Sequence, residues 1–217
     1  HMVAVRGRAF RSGGWWVNLN QAIIEIAGID GSGKSTLTAR LTEGVGDSPL
    51  QLGYSEPPKH AWFASASADL EQRGTCDVPL EVMFRAALTA RLHTTERLRA
   101  SGGVAVLDRH VLSLAAFYEF MGVGTNPIVR EEFPQALPDR VVLLDEPPEL
   151  CMRRLLERGR PLASHERSVS QLTAYRGTLL QASILLGVPT LVVTSSFDLQ
   201  RIRRWCVSGS TEPHIGD

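Results

Sequence analysis

The segment Gly28-Ile29-Asp30-Gly31-Ser32-Gly33-Lys34-Ser35 has the residue types and spacing most specific to one chemistry in this chain. It fits G-x-x-x-x-G-K-[ST], preceded by a short β-branched run and followed by a helical pattern. Glycines let backbone N–H groups curl around a polyphosphate, and the start of a helix adds partial positive charge. Lys34 is expected to project into solvent-filled space and reach the β- and γ-phosphates, and the Ser35 hydroxyl can ligate Mg2+. The spacing predicts a nucleoside triphosphate site built from Gly28, Asp30, Gly31, Ser32, Gly33, Lys34, Ser35 and Thr36.

A second set is Asp108-Arg109, just past an apolar run. A carboxylate at a strand's carboxyl end can order Mg2+ or accept the proton of an attacking hydroxyl, and the adjacent guanidinium can clamp a phosphate through two parallel hydrogen bonds. Further along are Arg153, Arg154, Arg158 and Arg160; Arg154 and Arg158 are four apart and share a helix face. Glu56-Pro57 closes the second apolar run where an acceptor would lie, followed by Trp62 and Phe63 and, on the next long helix, Phe84; each aromatic face can stack a base or equally pack in the core. The six histidines show no metal spacing, and His165-Glu166 is expected at an exposed position.

Positioning these groups requires alternating strands and helices. Five short apolar runs read as strands: 22–27, 50–54, 104–107, 141–144 and 190–193. Helical patterns cover 36–43, 79–100, 112–121, 147–158, 171–186 and 199–207. No run shows half-polar alternation, which is the pattern of a parallel sheet covered on both faces. The expected fold is α/β, a three-layer α/β/α sandwich around a five-stranded parallel sheet, with residues 21–217 as a single domain. Residues 1–20 read as a flexible extension in which His1-Met2 is a remnant of tag removal.

Composition narrows the classes further. The chain has 217 residues, 43% hydrophobic and 21% charged, with formal net charge zero, which speaks against disorder and against a dominant duplex-binding surface. No stretch of about 18 apolar residues exists to span a membrane. Three cysteines without ligand spacing read as reduced thiols in a cytoplasmic protein. Of the 23 basic residues only Lys34 and Lys59 are lysines, which makes the lysine at 34 a pointed choice.

In order along the chain, Ile24 to Thr36, Ser55-Glu56-Pro57, Met83-Phe84-Arg85-Ala86-Ala87, Val106-Leu107-Asp108-Arg109-His110 and Leu144-Asp145-Glu146-Pro147-Pro148-Glu149 leading to Arg158-Gly159-Arg160 resemble thymidylate kinases, over about residues 22–195. The resemblance implies a P-loop fold of the nucleotide kinase type. It implies an enzyme that moves the γ-phosphate of Mg·ATP to a nucleoside monophosphate or related small acceptor. ATP and Mg2+ are the implied cofactors, with Ser35 and Asp108 serving the metal. Lys34, Asp108, Arg109, Arg154 and Arg158 are the implied catalytic set; Asp30, Glu56, Phe84, Arg91 and Arg109 are the implied acceptor contacts. Residues 153–170 correspond to a lid, and 159–170, poor in large apolar residues, is expected to be mobile until both ligands bind. The implied partner is a small-molecule acceptor, with no nucleic acid polymer and no membrane; a homodimer is left open. A deoxynucleoside kinase or small-metabolite kinase on the same fold stands as the alternative, and a P-loop regulatory NTPase stands behind both.

The acceptor side departs from the family pattern. The family's Arg-Glu-Pro-Gly-Gly-Thr is here Ser55-Glu56-Pro57-Pro58-Lys59-His60, so an arginine for the acceptor phosphate is missing. Ala87 or Leu88 stands where an arginine would reach thymine, and Val111 where a carboxylate is common. Arg85, Arg91 and Lys59 are the available substitutes. These departures set the expectation that dTMP is not the preferred acceptor.

Overall fold

Residues 22–28 form one unbroken buried run, and they build the central strand of the sheet. The computed structural model describes residues 11–12, 15–16, 21–42, 50–53, 55–159, 161–194 and 198–208. Strands β1 (Gln21–Gly28), β2 (Leu50–Gly53), β3 (Gly103–Asp108), β4 (Arg140–Leu144) and β5 (Thr190–Val193) form a parallel sheet in the order β2-β3-β1-β4-β5. The registers Ile24↔Val106 and Ile26↔Val142 align the carboxyl ends of β1, β3 and β4 on one rim. The phosphate-loop sequence and Asp108-Arg109 both emerge from that rim, where open α/β sheets bind ligands.

Alternate residues of a strand face opposite sides. Ala22, Ile24 and Ile26 pack with Leu37 and Leu41 of α1 (Lys34–Thr42) and with Ile202 and Cys206 of α7 (Leu199–Ser208). Ala27, Val141 and Leu143 face the other side, towards α3 (Leu80–Ser101), α4 (Val111–Phe120) and α6 (Val169–Leu185). Helix α5 (Pro148–Glu157) buries Cys151 and Leu155 in the same cluster. The result is three layers around five parallel strands, as the alternation of the sequence predicts.

The two longest of the helical segments that escape that prediction follow β2 and α4. Helix α2 (Ala61–Arg73) has a thin apolar stripe of Phe63, Ala66 and Leu70 between serines and acidic residues, and it stops at Gly74, whose φ is +78°. A short turn over Thr125–Pro127 continues into Ile128–Glu132. Of the N-terminal extension only a two-residue antiparallel ladder is described, pairing Arg11 with Trp16 and Ser12 with Trp15; the rest, with Tyr54 and Arg160, lies outside the described residues. Among the described residues no helix is long and apolar enough to cross a membrane.

Candidate active site

The loop between β1 and α1 turns with Gly31 at φ +83°. A Cβ there would stand 2.5 Å from the carbonyl oxygen of Cys151, so glycine is what lets the loop press against α5. A cavity of about 70 Å3 opens beside it, bordered by Gly31, Gly33, Lys34, Asp108, Arg109 and Arg158, among others. Arg154, from the preceding turn of α5, donates to the carbonyl oxygen of Gly31 at 3.1 Å. Arg154 of α5 and Arg158, which caps that helix, therefore both reach the loop.

Lys34 corrects its expectation. It is buried at 5% exposure rather than projecting into solvent, with Nζ donating to the Ile29 carbonyl at 2.8 Å and lying 3.7 Å from the Asp30 carboxylate. The loop folds over its own lysine, because the ammonium finds its hydrogen-bond acceptor on the loop itself. Burial lowers its pKa to about 8, against the attraction of Asp108.

Ser35 Oγ donates to Asp108 Oδ2 at 2.5 Å, joining the start of α1 to the end of β3. Asp108 Oδ1 is buried with no hydrogen-bond partner among the described residues. A hydroxyl beside an unused carboxylate oxygen is a hard-oxygen pair of the kind that suits Mg2+. Asp30, His165 and Glu166 also bring ligand atoms within 4.8 Å of one another. Asp30, however, is already bonded to Arg109 and close to Lys34, and two cations next to the cluster oppose a third.

Arg109 adopts φ +66°, a left-handed conformation that a side-chain-bearing residue rarely takes. Glu25 explains how it is held. This carboxylate, fully buried in the middle of β1, accepts the backbone N–H groups of His110, Leu112 and Ser113, each at 2.8 Å, at the start of α4. Burial raises the Glu25 pKa while the three N–H groups pull it down. Val111, at 0% exposure, packs in the core. His110 sits beneath, bonded to Ser55 Oγ and Thr95 Oγ1 at 2.9 Å each, and burial lowers its pKa to about 3, so it stays neutral.

A larger cavity of about 240 Å3 adjoins this turn. Phe63, Phe117, Tyr118 and Tyr175 give it an aromatic wall, and Arg91, Arg109 and His165 give it a basic one. Arg109 borders both cavities. Of the substitutes for the missing arginines, Arg91 faces this cavity. Arg85 instead pairs with Glu81 and Glu132, and Lys59 is 88% exposed beside Glu56.

Several expectations fail here for packing reasons. Phe84 is fully buried against Tyr118, at 5.2 Å between ring centroids, so it supports the cavity wall from behind. Glu56 turns its carboxylate outward to Arg97 and Lys59, and only its carbonyl oxygen meets Arg91, at 3.3 Å. Trp62 is 39% exposed and stacks on His60, leaving the cavity to Phe63. His165, expected on the surface, is 7% exposed. It lies within a turn, Ser164–Glu166, tied to α2 by Ser164 Oγ donating to Leu70 at 2.9 Å. The 159–170 stretch is thus docked at its middle.

The sequence and the fold resemble those of known proteins. The thymidylate kinase family model matches residues 26–187. A probable thymidylate kinase of Archaeoglobus fulgidus is 27% identical over 184 residues, covering 83% of this chain and 90% of that one. A thymidylate kinase of Xylella fastidiosa is 26% identical over 166 residues, covering 73% and 76%. Among solved structures, a thymidylate kinase from Candida albicans superposes with a TM-score of 0.58 at 14% identity, over 85% of this chain and 88% of that one. A deoxyadenosine kinase from M. mycoides with bound dCTP gives 0.53 at 20%, over 82% and 92%. The last two speak for the fold.

Proposed function

The chain belongs to the thymidylate kinase family and is a phosphotransferase, an ATP-dependent nucleotide kinase; on that premise we propose that it moves the γ-phosphate of Mg·ATP onto a nucleoside 5′-monophosphate held in the larger cavity. The observation that carries this reading is Arg109, which borders both the phosphate-loop cavity and the larger one. A guanidinium at that junction can hold the acceptor phosphate against the incoming γ-phosphoryl group.

Arg91 favours a charged acceptor over a neutral nucleoside. Its Nε is buried without a partner among the described residues, its NH1 meets only a backbone carbonyl, and burial lowers its pKa. An anion in the cavity would satisfy the guanidinium. On the donor side, the loop N–H groups, Lys34, Arg154 and Arg158 surround the triphosphate. Ser35 and Asp108 would hold Mg2+, which supplies neutralisation of the β- and γ-phosphate charge. The setting of this reaction is cytoplasmic in the same reading.

Arg91 also removes one support for the expectation about dTMP, since it provides a cavity-facing guanidinium one turn beyond Leu88. The arginine replaced by Ser55 would serve the phosphate common to every monophosphate, so its loss penalises all of them alike. Thymidylate therefore enters the acceptor panel on equal terms. The test is ADP formation from Mg·ATP across natural nucleosides and their 5′-monophosphates. A monophosphate is expected to give the highest kcat/KM; ADP formation indifferent to acceptor, or fastest with a free nucleoside, would contradict the proposal.

The pH dependence follows from Lys34. With its pKa lowered to about 8, the ammonium is charged at pH 7 and loses its proton as pH rises through about 8. The free enzyme's value governs kcat/KM. For ATP this parameter is expected to be level below pH 7.5 and to drop about tenfold per unit above pH 8.5. A profile level from pH 7 to 9.5 would show that the lysine charge does not bind the triphosphate.

A further inference from the structure

We propose that His165 is a positioning residue that ties the acceptor cavity to the phosphate-binding loop through Asp30; the inference rests on the nucleotide-kinase reading above. His165 borders the larger cavity, and its Nε2 lies 3.2 Å from Asp30 Oδ2. The other oxygen of Asp30 is taken by Arg109 and lies 3.7 Å from Lys34 Nζ. One carboxylate thus stands among three basic side chains, of which Arg109 and His165 border the acceptor cavity.

The ring is held for this task. It packs edge-on against Phe117 and Tyr175, with centroids 5.2 and 5.5 Å away. Its turn is fixed at both ends, by Ser164 on Leu70 and by Arg167 on the carbonyl of Gln72, while Glu166 Oε2 accepts the Ala163 N–H at 2.9 Å. A histidine buried for packing alone would have no reason to aim Nε2 at the loop carboxylate.

The consequence is competition. Asp30 is 8% exposed, so its charge must be met by neighbours. With the histidine donating to Oδ2, Arg109 has only one oxygen to serve and stays at the mouth of the acceptor cavity. Without that donor, Arg109 is drawn fully onto Asp30 and away from the acceptor phosphate. His165 therefore sets how much of Arg109 is available to the acceptor.

Two variants separate this role from packing. His165→Phe keeps a ring against Phe117 and Tyr175 but has no N–H; His165→Gln keeps an N–H donor near the Nε2 position but loses the ring. Steady-state kinetics with the best monophosphate should show His165→Phe reduced about 10- to 100-fold in kcat/KM for the acceptor, the size of a lost charge-assisted hydrogen bond. The Kd of Mg·ATP by calorimetry should move less than about threefold, and His165→Gln should recover to within about fivefold of wild type. Wild-type kinetics in His165→Phe, or His165→Gln as impaired as His165→Phe, overturns the inference alone. If His165→Phe fails to fold, His165→Gln decides, and a deep loss at unchanged Tm overturns it. A wild type that phosphorylates no monophosphate overturns the kinase reading and this inference together.

Discussion

Replacing Lys34 with methionine is expected to lower kcat/KM for ATP by about 10²–10³-fold or more, the scale of removing one preorganised donor from a developing negative charge. Stability moves the other way. The folded-state pKa of Lys34 lies below its ordinary value, so the native state disfavours the ammonium, and that cost is fully present at pH 7, below both values. It lessens as pH rises from about 8, where the native lysine sheds its proton while the unfolded one keeps it. Methionine fills the same buried space without charge, so Tm at pH 7 should hold or rise. Thermal melts read beside single-turnover rates check both halves. An active Lys34→Met variant would remove the triphosphate from this loop.

The second large effect is at Asp108. Asp108→Asn keeps an oxygen for the 2.5 Å bond from Ser35 but removes the charge on the buried, unpartnered oxygen. Transfer should fall about 10²–10³-fold. Binding of ATP measured without divalent metal should stay within about threefold of wild type, because the loop N–H groups and Lys34 are untouched. Loss of Tm in step with loss of rate would assign Asp108 to scaffolding between β3 and α1.

What could be read from the residues alone was what local pattern encodes. The strands other than Leu50–Gly53 are dense runs of apolar residues, and the phosphate loop is a contiguous motif whose neighbours in sequence are its neighbours in space. Asp108-Arg109 was legible for the same reason. Helix α2 was hidden because its stripe is only Phe63, Ala66 and Leu70 among serines and acidic residues, so its burial comes from tertiary contact rather than from a strong hydrophobic period. His165 was hidden because its partners, Asp30, Phe117 and Tyr175, lie far away in sequence, and its own surroundings are polar. Glu25 did carry a signal, a lone carboxylate inside the run Ala22-Ile23-Ile24-Glu25-Ile26-Ala27, because a charge in the middle of a central strand must be capping something. Arg91 was legible as a substitute but not as the one among three that faces the cavity. That choice depended on which face of α3 meets the cavity, and Glu81 and Glu132 draw Arg85 away from it.

The central claim is that a phosphoryl group passes across the junction at Arg109 to an acceptor that already carries a phosphate. The most direct measurement is to follow label from γ-32P-ATP, with Mg2+, in a mixture of natural nucleosides and 5′-monophosphates. The account predicts label in the β-position of a nucleoside diphosphate, lost when Arg109 is replaced by alanine. Label appearing in a nucleoside monophosphate, or only as free phosphate whatever acceptor is present, would contradict it.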